Sequence, residues 1–480
     1  MAKEVEIKLD LQATDVGAVN ELLSGQPKRT LQRSTYYDTA DAALADAGFS
    51  LRIRTAGNRA VQTIQSRGTG TAVLFARGEW EREAGDAPVL DSTTPLAGLL
   101  LDRPHQFRER FVVVVERFVW RVEQDGARIE VAFDIGEVVA ADRRSALCEI
   151  ELELIDGDPA ALFALAKRID AVAPARLGVL TKSDRGDRLL GAAPGATRAE
   201  PLILAADSSA ADAFQQAANA CIRQFRLNEM VLERHADDAA LHQARVALRR
   251  LRSALSIWRD LLDDPVGETL RGELRWLSGV LGAARDLDVL IARTMPGALQ
   301  DRLVADRADA YAAVTAALAS DRARSTMLAT AEWIATGRWL SDPATLADRE
   351  QPAALFAAAA LARYRRKIKR GGRDLAIAGD EARHEVRKDA KKLRYAADFF
   401  ASLFPARKQR RRLDRFVTRL GRLQDRLGTL NDLATAQTLL ADHAIDPADT
   451  TLLGARHRKS ALIDKAERAH AALIDAQRFW

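Results

Sequence analysis

In the run Glu4-Val5-Glu6-Ile7-Lys8-Leu9 every second residue is ionised. Successive side chains of an extended chain point to opposite faces, so Glu4, Glu6 and Lys8 share one face of a strand. The same pattern recurs at Arg52 and Arg54, Glu79 and Glu81, Glu130 and Asp134, and Glu149, Glu151 and Glu153. A sheet with one solvated face is the ordinary cause of such alternation. A solvated face, however, favours Lys, Thr, Ser and Gln, whereas these strands carry paired carboxylates and paired arginines. Like charges side by side on a strand face cost energy unless opposite charge lies between them. A closed barrel with a charged lumen supplies it: metal ions for the acids, phosphates for the bases.

A second set of charges follows the helical period. His242, Arg245, Arg249 and Arg252 stand at positions 0, +3, +7 and +10, and so do His384, Arg387, Lys391 and Arg394. On a helix those positions form one stripe, and few acids are placed to offset the mutual repulsion. Each stripe is followed by a related segment, Leu281-Gly282-Ala283-Ala284-Arg285-Asp286-Leu287 and Leu427-Gly428-Thr429-Leu430-Asn431-Asp432-Leu433. The duplication predicts two pseudo-symmetric helical bundles. A costly cationic stripe repeated behind a histidine points to an anion site, since imidazole and guanidinium both suit phosphate.

The elements that must position these residues divide the chain in two. Alternating segments at Val5–Leu9, Phe49–Arg54, Val61–Gln65, Gly78–Glu83, Phe111–Val122, Arg128–Ile135 and Cys148–Ile155 predict strands, with short helices at Thr14–Leu23 and Pro159–Ala173. From about residue 210 apolar residues recur at three- and four-residue spacing, the helical pattern. Gly191–Pro201, rich in Gly, Pro and small residues, marks the connection. The expected organisation is a domain over 1–195, a linker over 196–207 and a second domain over 208–480. The expected fold is an α+β domain built on an eight-stranded antiparallel β tunnel or barrel, then an all-α bundle with an internal two-fold repeat.

With 480 residues and 48% apolar content the chain has ample core material for several domains. The opening MAKEVEIKLD contains no apolar run, so no secretory signal is expected. No stretch reaches the ~18 apolar residues of a membrane span. Cys148 and Cys221 lack metal-ligand spacing and are expected to be free thiols in a reducing cytoplasm. The net charge of +5 is modest, but RYRRKIKRGGR and ARKQRRRLDR are strongly cationic and imply an anionic partner.

The frame Glu4-x-Glu6-x-Lys8 is followed by Tyr36-Tyr37-Asp38-Thr39, Leu51-Arg52-Ile53-Arg54, Glu79-Trp80-Glu81, Ile129-Glu130 through Glu137, Glu149 through Leu154, and Thr181-Lys182-Ser183-Asp184-Arg185-Gly186. In that order these resemble the CYTH superfamily, the triphosphate tunnel metalloenzymes, over nearly all of 1–190. The resemblance implies a tunnel that binds a triphosphate with Mg²⁺ or Mn²⁺. The family's metal-side acids match Glu4, Glu6, Glu151 and Glu153, with Glu130 and Asp134 nearby. Its phosphate-contacting bases match Lys8, Arg52, Arg54, Arg117 and Lys182, and Arg185 follows in the same motif. Lys8, Glu4 and Glu6 are the catalytic candidates, Lys8 either ordering water or neutralising a phosphate oxygen. Carboxylates alone would repel a triphosphate, and a recruited divalent cation reverses that sign. One departure stands out: where the family has Thr-x-Lys, this chain has Thr63-Ile64-Gln65, with Arg67 as the candidate replacement.

The helical half resembles the CHAD domain, the conserved-histidine α-helical domain, across about 208–480. That family is a bundle with a basic cavity that binds inorganic polyphosphate. By motif, the polyphosphate-binding residues are His242, Arg245, Arg249, Arg252, His384, Arg387, Lys388, Lys391, Lys392 and Arg394, with Tyr395 close behind. The two resemblances together imply metal-dependent hydrolysis of inorganic triphosphate or a related triphosphate, with polyphosphate held by the helical half. Rival readings are a non-catalytic polyphosphate-binding protein disabled through Gln65, a nucleoside or thiamine triphosphatase, and an adenylyl cyclase. Nucleic acid is not the expected partner, because the basic stripes lack aromatic stacking platforms. The expected location is the cytoplasm, with polyphosphate granules as a site of association, and no membrane contact.

Overall fold

The computed structural model describes residues 2–66, 74–85, 87–96, 107–191, 195–292, 294, 296–442 and 459–480, with side chains placed except at 2–4, 74–77 and 435–442. The chain forms two compact units. One comprises Met1–Ala196 and Leu318–Thr336, the other Thr197–Ala317 and Gly337–Trp480.

The first unit is built on β1 (Ala2–Asp10), β2 (Lys28–Asp38), β3 (Phe49–Ala56), β4 (Arg59–Ser66), β5 (Leu74–Glu83), β6 (Arg108–Gln124), β7 (Ala127–Ala140), β8 (Arg143–Asp156) and the two-residue β9 (Arg176–Leu177). The sheet runs β5-β4-β3-β2-β6-β7-β8-β1-β9, and β1 also pairs with β5, so eight antiparallel strands curl back on themselves. The β6–β7 hairpin turns at Asp125-Gly126, both with positive φ, the conformation a tight two-residue hairpin demands. Apolar members of the alternation, Ile7, Leu9, Ile150 and Leu152, are buried on the face opposite the charges. Around the sheet lie α1 (Val16–Leu23), α2 (Ala43–Asp46), α3 (Ala160–Asp170) and α4 (Lys182–Leu190). Helix α3 packs on β1, β6 and β8 through Leu162, Phe163, Leu165 and Ile169.

The second unit holds α5 (Ala210–Leu232), α6 (Asp238–Ile257), α7 (Pro265–Ile291), most of α8 (Ala298–Ala319), then α10 (Leu346–Glu350), α11 (Ala353–Gly371), α12 (Asp380–Phe399), α13 (Arg407–Asp442) and α14 (Lys459–Ile474). The intervening α9 (Asp321–Thr336), which the sequence pattern placed in this half, belongs to the first unit. A buried Trp258 centres the core, stacked on Phe356 and tilted against Phe214, Phe399 and Phe400, with its indole N–H donating to the Ala210 carbonyl at 2.9 Å. Hairpins α6–α7 and α12–α13 carry the two copies of the repeat. Part of the expected linker is fastened to this unit. Thr197 N–H donates to Asn228 Oδ1 and the Asn228 amide returns a bond to the Thr197 carbonyl, each at 2.9 Å, and Leu204 N–H donates to Ser402 Oγ.

Gly136 on β7 makes the closest approach in the sheet: a Cβ there would lie 1.9 Å from the Val114 carbonyl oxygen on β6. Because that neighbour is backbone, relief requires the strands to separate. Gly136→Ala is expected to destabilise the first unit by about 1–3 kcal/mol or more, read as a lower midpoint in chemical denaturation.

Candidate active site

The register explains which charges meet. Across β1 and β8, Glu6 opposes Glu153, Lys8 opposes Glu151 and Asp10 opposes Glu149. Across β7 and β8, Glu130 opposes Glu153 and Asp134 opposes Glu149, while Arg117 on β6 opposes Asp134. The charged faces thus converge inside the curled sheet, around a cavity of about 190 Å³. Of the sequence-predicted residues, Glu6, Lys8, Arg52, Arg54, Arg117, Glu130, Glu151, Glu153 and Lys182 line it. The Glu4 side chain and Arg67 lie outside the described residues.

The deepest part is an ion-paired cluster. Asp134, Glu149 and Glu151 bring one carboxylate oxygen each within 4.8 Å of one another, spacing that could hold a metal ion. The Lys182 ammonium already sits there, 2.8 Å from Asp134, 2.6 Å from Glu149 and 2.9 Å from Glu151. Arg117 grips Asp134 through two bonds of 2.7 and 2.6 Å and reaches Glu151 at 2.7 Å. Lys8 donates to Glu151, and to Glu6 at 3.4 Å. Arg185 bonds Asp10 at 2.6 Å and Glu149 at 3.3 Å, so it braces the cluster from behind rather than lining the cavity. Asp134 likewise lies behind the lining. Burial alone would raise the three carboxyls, but Lys182 and the neighbouring Arg117, Arg185 and Lys8 outweigh it and hold all three below ordinary values. Burial works against the Lys182 charge too, yet the three acids raise its pKa.

Local chain geometry delivers Lys182. The Gly178 N–H donates to the Lys8 carbonyl at 2.8 Å, tying the segment after β9 to β1. Thr181 caps α4, accepting from Asp184 N–H at 2.9 Å while Asp184 accepts from Thr181 N–H at 3.0 Å. This fixes the first turn of α4, which presents Thr181, Lys182 and Ser183 to the cavity.

Two residues along the strands, the balance changes sign. Glu6, Glu153 and Glu130 stand side by side on β1, β8 and β7. Burial and then Glu130, Glu6, Glu151 and Glu79 push the Glu153 carboxyl up. Carboxylates directly opposed in a sheet repel; Lys8 reaches Glu6 at 3.4 Å and Arg121 reaches Glu130 at 3.6 Å, with Glu153 between the two acids. In the same cavity Arg52 and Arg54 share a face of β3, and Arg52, then burial, lowers the Arg54 pKa. Glu79 and Glu81 answer them at 3.5 and 3.2 Å. Gln65 donates to Glu79 at 3.0 Å, so the amide in the family's lysine position is engaged with a carboxylate.

The helical unit gathers a second set of charges. The exposed Arg249 donates to the Tyr395 hydroxyl at 2.7 Å, bringing the α6 and α12 stripes together. Arg245 bonds the Gly282 carbonyl at 3.2 Å and Asp286 at 3.4 Å. In the other copy, a Cβ on Gly428 would touch Arg387, as one on Gly282 would touch Arg245. His384 Nδ1 lies 2.5 Å from Asn431 Oδ1. Lys388 pairs with Glu385, Lys392 with Asp389 at 3.9 Å and Arg394 with Asp398 at 3.3 Å. Burial and then Arg387 and Arg249 push the Lys391 ammonium down to about 8. Burial, then Arg285, Arg249 and Arg245, lowers His242, and burial lowers Arg245, Arg252 and Arg387. Burial leads each of these shifts, and neighbouring cations add to it.

Residues 2–186 match the CYTH domain and residues 216–441 the CHAD domain. The chain is a CYTH domain followed by a CHAD domain. An inorganic triphosphatase of Haemophilus influenzae is 29% identical over 200 residues, which is 39% of this chain and 54% of that protein. The chain therefore spans about half the length of that curated relative. The crystal structure of the CHAD domain from the plant Ricinus communis is 28% identical and covers 60% of this chain and 99% of its own, with a TM-score of 0.51. A putative adenylyl cyclase from Hippeastrum, described as having a dominant triphosphatase activity, is 19% identical over 38% of this chain and 96% of its own, with a TM-score of 0.30.

Within the CYTH domain, Tyr36, Glu79, Glu81, Thr181 and Ser183 also line the cavity, and Glu149 closes the cluster behind it. The glutamates were visible as alternating charges on β5 and β8. Tyr36, Thr181 and Ser183 fall in segments that carry the CYTH resemblance, but their place at the cavity depends on strand pairing and on the α4 cap.

Lys182→Met would leave three buried carboxylates short of their central cation. It is expected to destabilise the CYTH domain by about 3–5 kcal/mol at neutral pH. Because the acids are depressed in the folded state, the wild-type contribution is present above the unfolded carboxyl range and is lost as pH falls through the folded values. The difference between wild type and variant should therefore shrink in acid, measured by urea denaturation across pH.

Proposed function

We propose that the CYTH domain hydrolyses inorganic triphosphate or a related triphosphate with Mg²⁺ or Mn²⁺, and that the CHAD domain binds polyphosphate. The observation that carries the first part is the convergence of both signs of charge on one cavity: the adjacent acids Glu6, Glu153 and Glu130, with the Glu153 carboxyl pushed up by burial and its acidic neighbours, beside the Arg52–Arg54 pair in which Arg52, then burial, lowers Arg54. The triphosphatase name of the Haemophilus relative supports the same reading.

Glu6, Glu130 and Glu153 line the cavity with carboxylate oxygens, the donor type a hard divalent cation takes. A divalent ion bound there would offset carboxylate charge against a polyanion and polarise a phosphoryl group. Arg52, Arg54 and Arg117 present guanidinium forks to phosphate oxygens, which favour two-pronged recognition. Lys182 is held by three acids and orders the floor of the site. The Lys8 Nζ, placed between Glu6 and Glu151, can donate to an attacking water or to a phosphate oxygen while Glu151 holds it in place. In-line transfer of this kind depends on positioning and charge stabilisation rather than on covalent chemistry.

In the CHAD domain, burial and then neighbouring cations, Arg249 among them, lower Arg245, Arg387 and Lys391 across the two stripes, which supports a polyphosphate surface there. Lys388, Lys392 and Arg394 are answered by local acids and contribute mainly to the surrounding field.

Phosphate release from tripolyphosphate is expected to require Mg²⁺ or Mn²⁺. Glu153→Gln is expected to lower kcat by about 10²-fold or more. In the metal-free protein the same variant is expected to be slightly more stable than wild type at neutral pH. A raised carboxyl disfavours the folded state as pH climbs above the unfolded carboxyl value, and the amide removes that charge. Arg387→Ala should weaken polyphosphate binding and flatten its salt dependence. Metal-independent release, or none from the wild type, would overturn the enzymatic reading.

A further inference from the structure

Helix α9 is folded into the CYTH unit although it follows residue 317. It packs on α3 and β9. Its attachment is a buried ion pair, Arg324 Nε to Asp170 Oδ1 at 2.7 Å, with the two side chains only 6% and 9% exposed. Arg324 also donates to the Ala319 carbonyl at 2.7 Å, and Lys167 on α3 pairs with Glu332. The same Asp170 oxygen accepts from Ala175 N–H at 3.0 Å. Asp170 therefore closes the turn that leads from α3 into β9. Arg176 and Leu177 of β9 pair with Asp10 and Leu9, and the next amide, Gly178, donates to the Lys8 carbonyl. Four residues on, the chain delivers Lys182.

We propose that Asp321–Thr336 is a positioning element for the CYTH site, bracing through Arg324 and Asp170 the β9–Lys182 segment that orients Lys8 and Lys182. A buried arginine needs its carboxylate partner, and a carboxylate shared with a turn amide couples the two orientations. A CYTH unit ending at the linker lacks this helix. In this protein the domain is completed only by chain that follows most of the α8 region. The architectural inference stands apart from the reaction; only its activity readout rests on the triphosphatase reading.

The test uses the full-length chain with Arg324→Ala, Arg324→Lys and Asp170→Asn. Amide hydrogen exchange over 175–182 is expected to accelerate severalfold in Arg324→Ala and Asp170→Asn, and Arg324→Lys to recover part of the protection. Exchange in the β3–β4 pair should stay at wild-type rates. With tripolyphosphate as the probe, kcat should fall in Arg324→Ala while polyphosphate binding by the CHAD domain is unchanged. Unchanged exchange over 175–182, or equal acceleration in β3–β4, would overturn the proposal, the latter because it marks a general stabiliser. Should Arg324→Ala fail to fold, Asp170→Asn and Arg324→Lys decide by the same comparison. A wild type without turnover would sink the enzymatic reading and leave the exchange result to judge this one.

Discussion

The Lys182 ammonium among Asp134, Glu149 and Glu151 is the interaction on which the rest of the CYTH site depends. Three carboxylates converging in a buried place are tolerable only with compensating charge at hydrogen-bond distance. Lys182 provides it from the first turn of a capped helix, and Arg117 and Arg185 satisfy the outward oxygens. A cluster with the spacing of a metal site is in this way converted into a structural floor. The pleat then decides what lies next. Two residues along β8, Glu153 lies between Glu6 and Glu130, which Lys8 and Arg121 reach at 3.4 and 3.6 Å. On the reading proposed here, the ammonium and the divalent cation divide one acidic face between them.

The CHAD domain solves the converse problem. Its two stripes bring arginines and a lysine together around the Arg249–Tyr395 contact, with Asp286 near Arg245 and Asp432 near Arg387 as partial counter-charges. Gly282 and Gly428 stand at equivalent places in the repeat, each with its arginine within ordinary contact range of where a Cβ would lie. The unit tolerates the repulsion because its stability resides elsewhere, in the Trp258 aromatic cluster and close-packed alanine-rich helices.

Alternation made the charged faces legible, because a strand assigns side chains to faces whatever the sheet topology. The repeat made the two stripes legible for a similar reason. Pairing was not legible: that Lys182 meets Asp134 and Glu149 depends on how residues 178–182 cross β1. Strand β2 was missed as a regular element because only its second half is buried, with Arg29, Thr30 and Gln32 facing outward or partly so. Helix α4 was missed because Lys182–Leu190 is mostly charged and owes its start to the Thr181–Asp184 cap. The membership of α9 in the first unit could not be read at all, since nothing local distinguishes it from its helical neighbours. The sequence pattern also treated Thr197 onward as linker, whereas Asn228 fastens it.

The central claim concerns where the cation goes. Crystals of the full chain grown with Mn²⁺ and a non-hydrolysable triphosphate analogue would locate it by anomalous scattering. The account predicts a manganese peak bounded by Glu6, Glu130 and Glu153, with Lys182 still seated among Asp134, Glu149 and Glu151. A peak inside that three-acid cluster, with the lysine displaced, would contradict it.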